Sequence, residues 1–338
     1  MRKILAFFLI LIFFMFALPA GITVLSKYKN ADNREIYEEG DAVTTGSFND
    51  DLKISVYAKS EDKLMEIRLE DYLVGVLAGE MPPTYEREAL KAQAIAARSY
   101  ILGRVSEYLE GNIHESHNGA MVCTDYEHCK AWRDINEIKK TWDSRYSDDY
   151  EEKIRSAVES TKGEYMTYDN KVVKAYFYAI SGGKTENVED VWGVELPYLR
   201  SVSCFEDIGC DGYESMSSYP KDMFIKKLRM AKKDSNFDNF SLDIGRITKT
   251  DAGSIADIEI GGILFKGAEI REIFGLRSSN FDIHIKGDKI TFVVRGYGHG
   301  VGMSQNGANV MAMNGKTCEE ILKHFYTDVS IVNLYKKS

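Results

Sequence analysis

The apolar run from Ile4 to Leu25, broken only by Thr23, is the first constraint on how this chain can fold. A helix over those positions is about 33 Å long at 1.5 Å rise per residue, enough for a hydrocarbon core of about 30 Å. Residues 1–26 are therefore expected to be a signal anchor, an N-terminal transmembrane helix. A signal peptide cut after Ala20 is the rival reading, but its apolar core is usually only about 7–15 residues long. Leu18 is also a poor residue two positions before such a cut. Lys27, Lys29 and Arg34 balance Arg2 and Lys3, so charge alone sets no orientation. A whole folded region follows the span, and a domain behind such a signal is normally exported. The expected place of work is outside the cytoplasmic membrane, on a single-pass anchor.

The rest reads as one globular region behind a polar linker at 27–50. The 338 residues are 44% hydrophobic and 28% charged, which excludes disorder over most of the length. A formal net charge of −9 argues against a nucleic-acid partner. Leu52, Ile54, Val56 and Ala58 alternate with polar residues and predict a strand, with a second, short one at Met65 and Ile67. Helices are predicted over 69–81, 86–110, 150–160, 219–231, 304–314 and 317–326. Strands are predicted near 164–168, 171–180, 254–260, 281–286 and 289–296. Residues 112–148 lack periodicity and read as an irregular insertion. No βαβ unit repeats, so the expected class is α+β, with mostly antiparallel strands, over a domain of 51–335.

Leu73, Val76, Leu77 and Glu80 share one helical face, and Pro82-Pro83 ends the helix directly after it. Glu80 is thus an acid on a core-facing stripe, at the negative end of a helix dipole. Burial and that dipole both disfavour its ionised form, which suits a general acid in glycosidic cleavage. The plainer alternative is a Glu at the core edge that reaches solvent or an Arg. On the following helix, Arg98 sits at the margin of the stripe Leu90, Ala94, Ala97, Ile101 and Val105. It needs an anionic partner: Glu80, a substrate carboxylate, or a structural acid. Near the C-terminus Gly296, Gly298, Gly300 and Gly302 alternate with Tyr297, His299, Val301 and Met303. Extended, the segment would leave one bare face for close approach to the backbone, as in the groove wall for a polymer. His299, Ser304 and Gln305 would then be polar contacts, although Ser304 could equally be an N-cap. Ser181-Gly182-Gly183, followed by Thr185, repeats the punctuation.

His114, His117, Cys123, His128 and Cys129 crowd into 16 positions. Two thiolates and two imidazoles match a closed structural zinc site, and His117, Cys123, His128 and Cys129 are the expected ligands, with His114 in reserve. A Cys123–Cys129 disulfide is the competing reading. Cys204 and Cys210 could pair or stay free, and Cys318 falls on a helical pattern that would bury it.

Three segments together resemble the SpoIID/LytB family. They are Gly79-Glu80-Met81-Pro82 running on to Arg98-Ser99-Tyr100; Ser181-Gly182-Gly183-Lys184-Thr185 running on to Trp192-Gly193 and Pro197-Tyr198-Leu199; and Gly298-His299-Gly300-Val301-Gly302-Met303-Ser304-Gln305. The resemblance implies a lytic transglycosylase that cleaves the bond between N-acetylmuramic acid and N-acetylglucosamine in peptide-stripped peptidoglycan, leaving 1,6-anhydro ends. Glu80 matches the family's catalytic acid, acting first as acid and then as base, so no second acid is needed, and none stands out in the other motifs. Arg98, Ser181, Thr185, Tyr198, His299, Ser304 and Gln305 would line the groove. Asn306 stands where relatives often carry an aromatic residue. The resemblance further implies engulfment during sporulation in the mother-cell membrane, with an amidase (SpoIIP) and a polytopic membrane protein (SpoIIM) as partners. Two other readings compete. One is a glycan-binding enhancer of an amidase without catalysis of its own. The other is a zinc amidase, which four protein ligands on the metal would disfavour.

Overall fold

The computed structural model describes residues 52–125, 128–233, 235, 237 and 240–335. The expected anchor at 1–26 and the linker at 27–50 lie outside them. Among the described residues, no helix is long and apolar enough to cross a membrane.

The described residues open with strands β1 (Lys53–Ala58) and β2 (Lys63–Arg68), paired antiparallel, then helices α1 (Leu69–Glu80) and α2 (Arg87–Leu109). A short β3 (Val122–Cys123) joins the other edge of β1 in parallel. Helices α3 (Ile135–Lys139) and α4 (Ser147–Ser160) follow. Next come β4 (Glu164–Tyr168), β5 (Lys171–Val172) and β6 (Phe177–Tyr178), then the single-turn α5 (Val188–Trp192). The next lobe holds β7 (Glu214–Pro220), α6 (Lys221–Ala231), β8 (Ile244–Lys249), β9 (Ile255–Ile260), β10 (Ile263–Lys266), α7 (Gly267–Phe274), β11 (Phe281–Lys286) and β12 (Lys289–Arg295). The chain ends with β13 (Met303–Ser304), α8 (Gln305–Met313), α9 (Cys318–Phe325) and β14 (Ser330–Asn333). Strand orders are β2-β1-β3, β14-β4-β5, β13-β6, β10-β9-β8 and β11-β12-β7. Among the described strands only β1–β3 and β6–β13 are parallel, so the α+β class with mostly antiparallel strands is observed.

Sixteen of the 23 residues of α2 are buried, and many are Ala, so neighbours pack closely all round it. It is the central helix, touched by α1, α4, α8, α9 and β4. The lobe between β7 and β12 has its own core, in which Phe224 of α6 stacks on Phe274 of α7 at 4.6 Å with Phe292 alongside. Strands β7 and β8 and helix α7 were not predicted, because Ser-Met-Ser-Ser-Tyr and the Gly-bearing Ile-Gly-Arg-Ile-Thr-Lys lack strong alternation. The expected strand over 171–180 is broken into β5 and β6.

Arg98 is corrected from groove residue to core. Its side chain is fully buried, and it forks onto Glu70, with Nε to Oε1 at 3.1 Å and Nη2 to Oε2 at 2.6 Å. Nη1 donates to the Glu164 carbonyl at 2.8 Å. No face is left for a saccharide, and the partner is Glu70, not Glu80. Arg98→Met would strand a largely buried carboxylate, so urea unfolding should show a loss of about 3–5 kcal/mol, with little recovery in Arg98→Lys, which cannot fork.

Candidate active site

Glu80 is the last residue of α1. Met81 leaves the helix with φ −122° and ψ 141°, as a residue before proline prefers. Nearly every other side of α1 is enclosed, but Glu80 itself is half-buried. The segment Lys130–Arg133 lies along the helix as a strap over the small residues Gly75 and Gly79. The Arg133 N–H donates to the Gly75 carbonyl at 3.1 Å, and Trp132 stacks on Tyr72 at 6.3 Å. The Ala131 N–H donates to Glu80 Oε1 at 2.8 Å. That bond fixes the carboxyl and leaves Oε2 without a hydrogen-bond partner among the described residues.

Lys130 is almost fully buried. Its ammonium lies 3.8 Å from the Phe177 ring centroid, 4.3 Å from that of Tyr100 and 5.8 Å from that of Tyr176. Burial pulls it down to about 8, against the attraction of Glu80 and Cys129. Next along is His299, with ring centroids 5.1 Å from Trp192, 5.5 Å from Tyr178 and 6.3 Å from Tyr176. Desolvation among the surrounding aromatic rings, and then the like charges of Lys130 and Arg271, take the partly exposed His299 down to about 3, so it is neutral at pH 7. Its Nδ1 accepts from the Val301 N–H at 3.1 Å, which assigns the ring proton to Nε2. Glu80, Lys130, His299 and the half-buried Trp192 thus form a succession of neighbours with polar heads and aromatic walls.

The glycine ladder is not extended. All four glycines have positive φ, at 78°, 127°, 86° and 77°. What approaches their backbone is the protein itself. A Cβ on Gly298 would lie 2.5 Å from Tyr178 Cβ, and one on Gly302 would lie 2.1 Å from the Tyr176 carbonyl oxygen. The ladder is knitted to the second motif by Tyr297 N–H to Ile180 O at 2.7 Å and Glu186 N–H to Gly300 O at 2.7 Å. Its bare face therefore packs against the protein's own backbone, while Gly296, Gly298 and Gly300 also line a small cavity with Tyr178, Glu186 and His299.

Several expected groove residues are scaffold. Ser181 is fully buried; it donates to the Lys184 carbonyl at 2.9 Å and accepts from the Gly183 N–H at 3.1 Å. Thr185, also fully buried, donates to the Arg200 carbonyl at 3.2 Å and accepts from the Val202 N–H at 2.9 Å. Tyr198 is buried, and its hydroxyl accepts from the Lys174 N–H at 3.2 Å. Ser304 caps α8 at the Gly307 N–H, and Gln305 is buried beside it. Only Glu80 and His299 of the expected set keep partly exposed side chains.

Two acids stand out that the sequence reading did not select. Asp207 is fully buried and accepts from the Ser181 N–H at 2.6 Å, the Ser304 hydroxyl at 2.6 Å and Asn306 Nδ2 at 2.7 Å. It ties the second motif to the third and gives Asn306 a structural task. Glu186 is buried against Gly300 and accepts from the Thr250 hydroxyl at 3.2 Å; burial raises its carboxyl above the usual range. An acid therefore does stand in the second motif, legible only as the residue after Thr185.

His117, Cys123, His128 and Cys129 converge, with one donor atom from each lying within 4.8 Å of the others. His117 Nε2 is 3.0 Å from His128 Nδ1 and 3.1 Å from Cys129 Sγ, and His128 Nδ1 is 3.6 Å from each sulfur. A zinc tetrahedron with Zn–N of about 2.0–2.1 Å and Zn–S of about 2.3 Å has edges of about 3.3–3.8 Å, so this donor set fits the ion. The Cys129 sulfur and the imidazoles pull the Cys123 thiol down, while Cys129 is pushed up. All five cysteines are free thiols, so neither the Cys123–Cys129 nor the Cys204–Cys210 disulfide is formed. The His114 ring lies tilted against that of His128, with centroids 3.9 Å apart. Cys318 is only partly buried.

The strap is testable through its seat. A Cβ on Gly75 would lie 2.3 Å from Trp132 Nε1 and 2.8 Å from the Arg133 carbonyl oxygen. Gly75→Ala should lift the strap, costing about 1–3 kcal/mol in urea unfolding and red-shifting Trp132 fluorescence.

Comparison with known proteins places these features. The SpoIID family (Stage II sporulation protein) matches residues 57–168, which span Glu80, the strap and the His/Cys cluster. The chain is 38% identical to stage II sporulation protein D of Bacillus subtilis over 281 residues, 83% of this chain and 79% of that protein. It is also 38% identical to stage II sporulation protein D of Bacillus amyloliquefaciens over 83% of this chain and 78% of that protein. It is 24% identical to the amidase enhancer of Bacillus subtilis, over 77% of this chain and 40% of that protein. With its first motif carrying a fixed, half-exposed acid and its second and third motifs woven into one scaffold, this chain belongs to the SpoIID family of stage II sporulation proteins.

Proposed function

We propose that this protein is a lytic transglycosylase of sporulation that cleaves between N-acetylmuramic acid and N-acetylglucosamine in peptide-stripped peptidoglycan. The observation that carries the reading is Glu80: an acid fixed at one oxygen by the Ala131 N–H, with the other oxygen unclaimed and the head partly open to solvent. Glu80 gives its proton to the glycosidic oxygen as the oxocarbenium-like state develops. It then takes the proton of the muramyl C6 hydroxyl, which closes on C1 to form the 1,6-anhydro product. Atoms balance without water and without a second carboxylate. Neutral His299 and the indole face of Trp192 serve to hold the sugars beside it.

Zinc belongs to this reading as a structural ion held by His117, Cys123, His128 and Cys129. Four protein ligands leave no open position for a substrate, and the ion's contribution is to folding. Action in the mother-cell engulfing membrane, alongside SpoIIP and SpoIIM, rests on the family resemblance, as does the single-pass anchor.

The similarity to a protein named amidase enhancer supports a second reading, a glycan binder without cleavage. Mass spectrometry of products from peptide-free glycan strands separates the two. Wild type should leave anhydro-muramyl ends and Glu80→Gln none; reducing ends would mean hydrolysis, and binding without cleavage by either protein would favour the enhancer. Zinc removal by a strong chelator should lower the melting temperature by several degrees, and zinc should be recovered at one ion per chain by elemental analysis. Unchanged melting would remove the ion's structural role.

A further inference from the structure

Helix α6 turns its apolar residues Phe224 and Leu228 into the core of the β7–β12 lobe. Its outer face repeats a different pattern. Met223, Lys226 and Met230 lie at i, i+3 and i+7, one stripe on the helix, with Arg229 beside them and Lys233 just past the helix end. All five are exposed, Met230 at 63% and Met223 at 48%, unusually open for so apolar a residue. Lys226 and Lys233 have no ion-pair partner among the described residues, whereas Lys227 is spent on the Ile273 carbonyl and Lys232 on Glu269. A shallow groove of about 430 Å³ runs along the stripe, lined by Asp222, Ile225, Lys226, Arg229, Met230 and Lys233. From Tyr219 to Lys233 there are six cations and one acid, in a chain whose net charge is −9.

We infer that this face of α6 docks on the surface of an anionic phospholipid bilayer, its cations on the phosphates and its two methionines entering the acyl boundary. Charge complementarity calls for an anionic occupant, because a segment with six cations and one acid is drawn to such a surface even in a chain of net charge −9. The interleaved methionines select a bilayer over a soluble anionic polymer. A polyphosphate strand gains nothing from exposed thioethers, whereas an interfacial helix gains by burying them. Docking through one basic face would orient the whole described region on the membrane. It involves neither Glu80 nor the His/Cys cluster, and it stands whether or not the glycan reading does.

The test uses the full chain in vesicles that carry a phospholipid with a photoactivatable acyl chain, with adducts mapped by mass spectrometry. In vesicles containing phosphatidylglycerol, adducts should appear on the segment Met223–Met230. They should fall roughly tenfold or more in pure phosphatidylcholine, in high salt, and in the triple variant Lys226→Glu, Arg229→Glu, Lys233→Glu. Met223→Ser with Met230→Ser keeps the charges and should lose the acyl-chain adducts even if the triple variant folds poorly. Unchanged labelling in the triple variant would overturn the inference. So would the absence of adducts on this segment together with its retention on immobilised polyglycerol phosphate, which would assign the face to a wall polymer.

Discussion

The Arg98–Glu70 pair is the interaction on which the rest depends. A guanidinium this deeply buried is tolerable only because each donor direction is met: the two Glu70 oxygens, the Glu164 carbonyl and, at 3.4 Å, the Val158 carbonyl. Those partners sit at the start of α1, in α4 and on β4, and Glu70 also accepts from the Gly163 N–H at 3.2 Å. One planar fork therefore fixes α1 against α2 and both against the β4 sheet. The direction of α1 sets where its last residue emerges, and that residue is Glu80. Lysine, a point charge without a fork, could not set this angle.

Much of this order is visible in the residues. Helix α1, its stop at the two prolines, and the position of Glu80 follow from spacing alone, as does the amphipathic pattern of α9. The metal-compatible cluster was legible because its residue types are rare and close in sequence. Where reading fails, the cause is physical. Hydroxyls such as Ser181, Thr185 and Ser304 look like contacts for a polar ligand, but irregular buried backbone needs the same groups to satisfy its own N–H and C=O atoms. The sequence does not say which use prevails. Asp207 was hidden for the same reason: its partners lie 26 and 97 residues away, and no local pattern marks such a bond.

The glycine ladder shows how a correct local inference can meet the wrong partner. Alternating glycines do require close approach to the backbone, and close approach is present. The approaching surface is the chain's own segment 176–186, so the ladder is a clasp between the second and third motifs. His299 projects from that clasp into the aromatic wall because its flanking glycines at 298 and 300 take left-handed turns that other residues rarely adopt. Positive φ on both sides is thus what aims the imidazole.

The lobe from Glu214 to Arg295 leaves and re-enters the fold at one point. Glu214 lies opposite Arg295 in the β7–β12 ladder, and the Gly296 N–H donates to the Tyr213 carbonyl at 2.8 Å. With its ends pinned together and a core of its own, the lobe adds little loop-closure entropy to the chain that hosts it. Such an attachment leaves the parts of the lobe away from Thr250, Arg271 and Asn280, which touch the framework, free to vary in length and content. Descendants of one ancestor could enlarge or trim those parts while the framework stays fixed, and the surface they present to the surroundings is free to diverge faster than the scaffold.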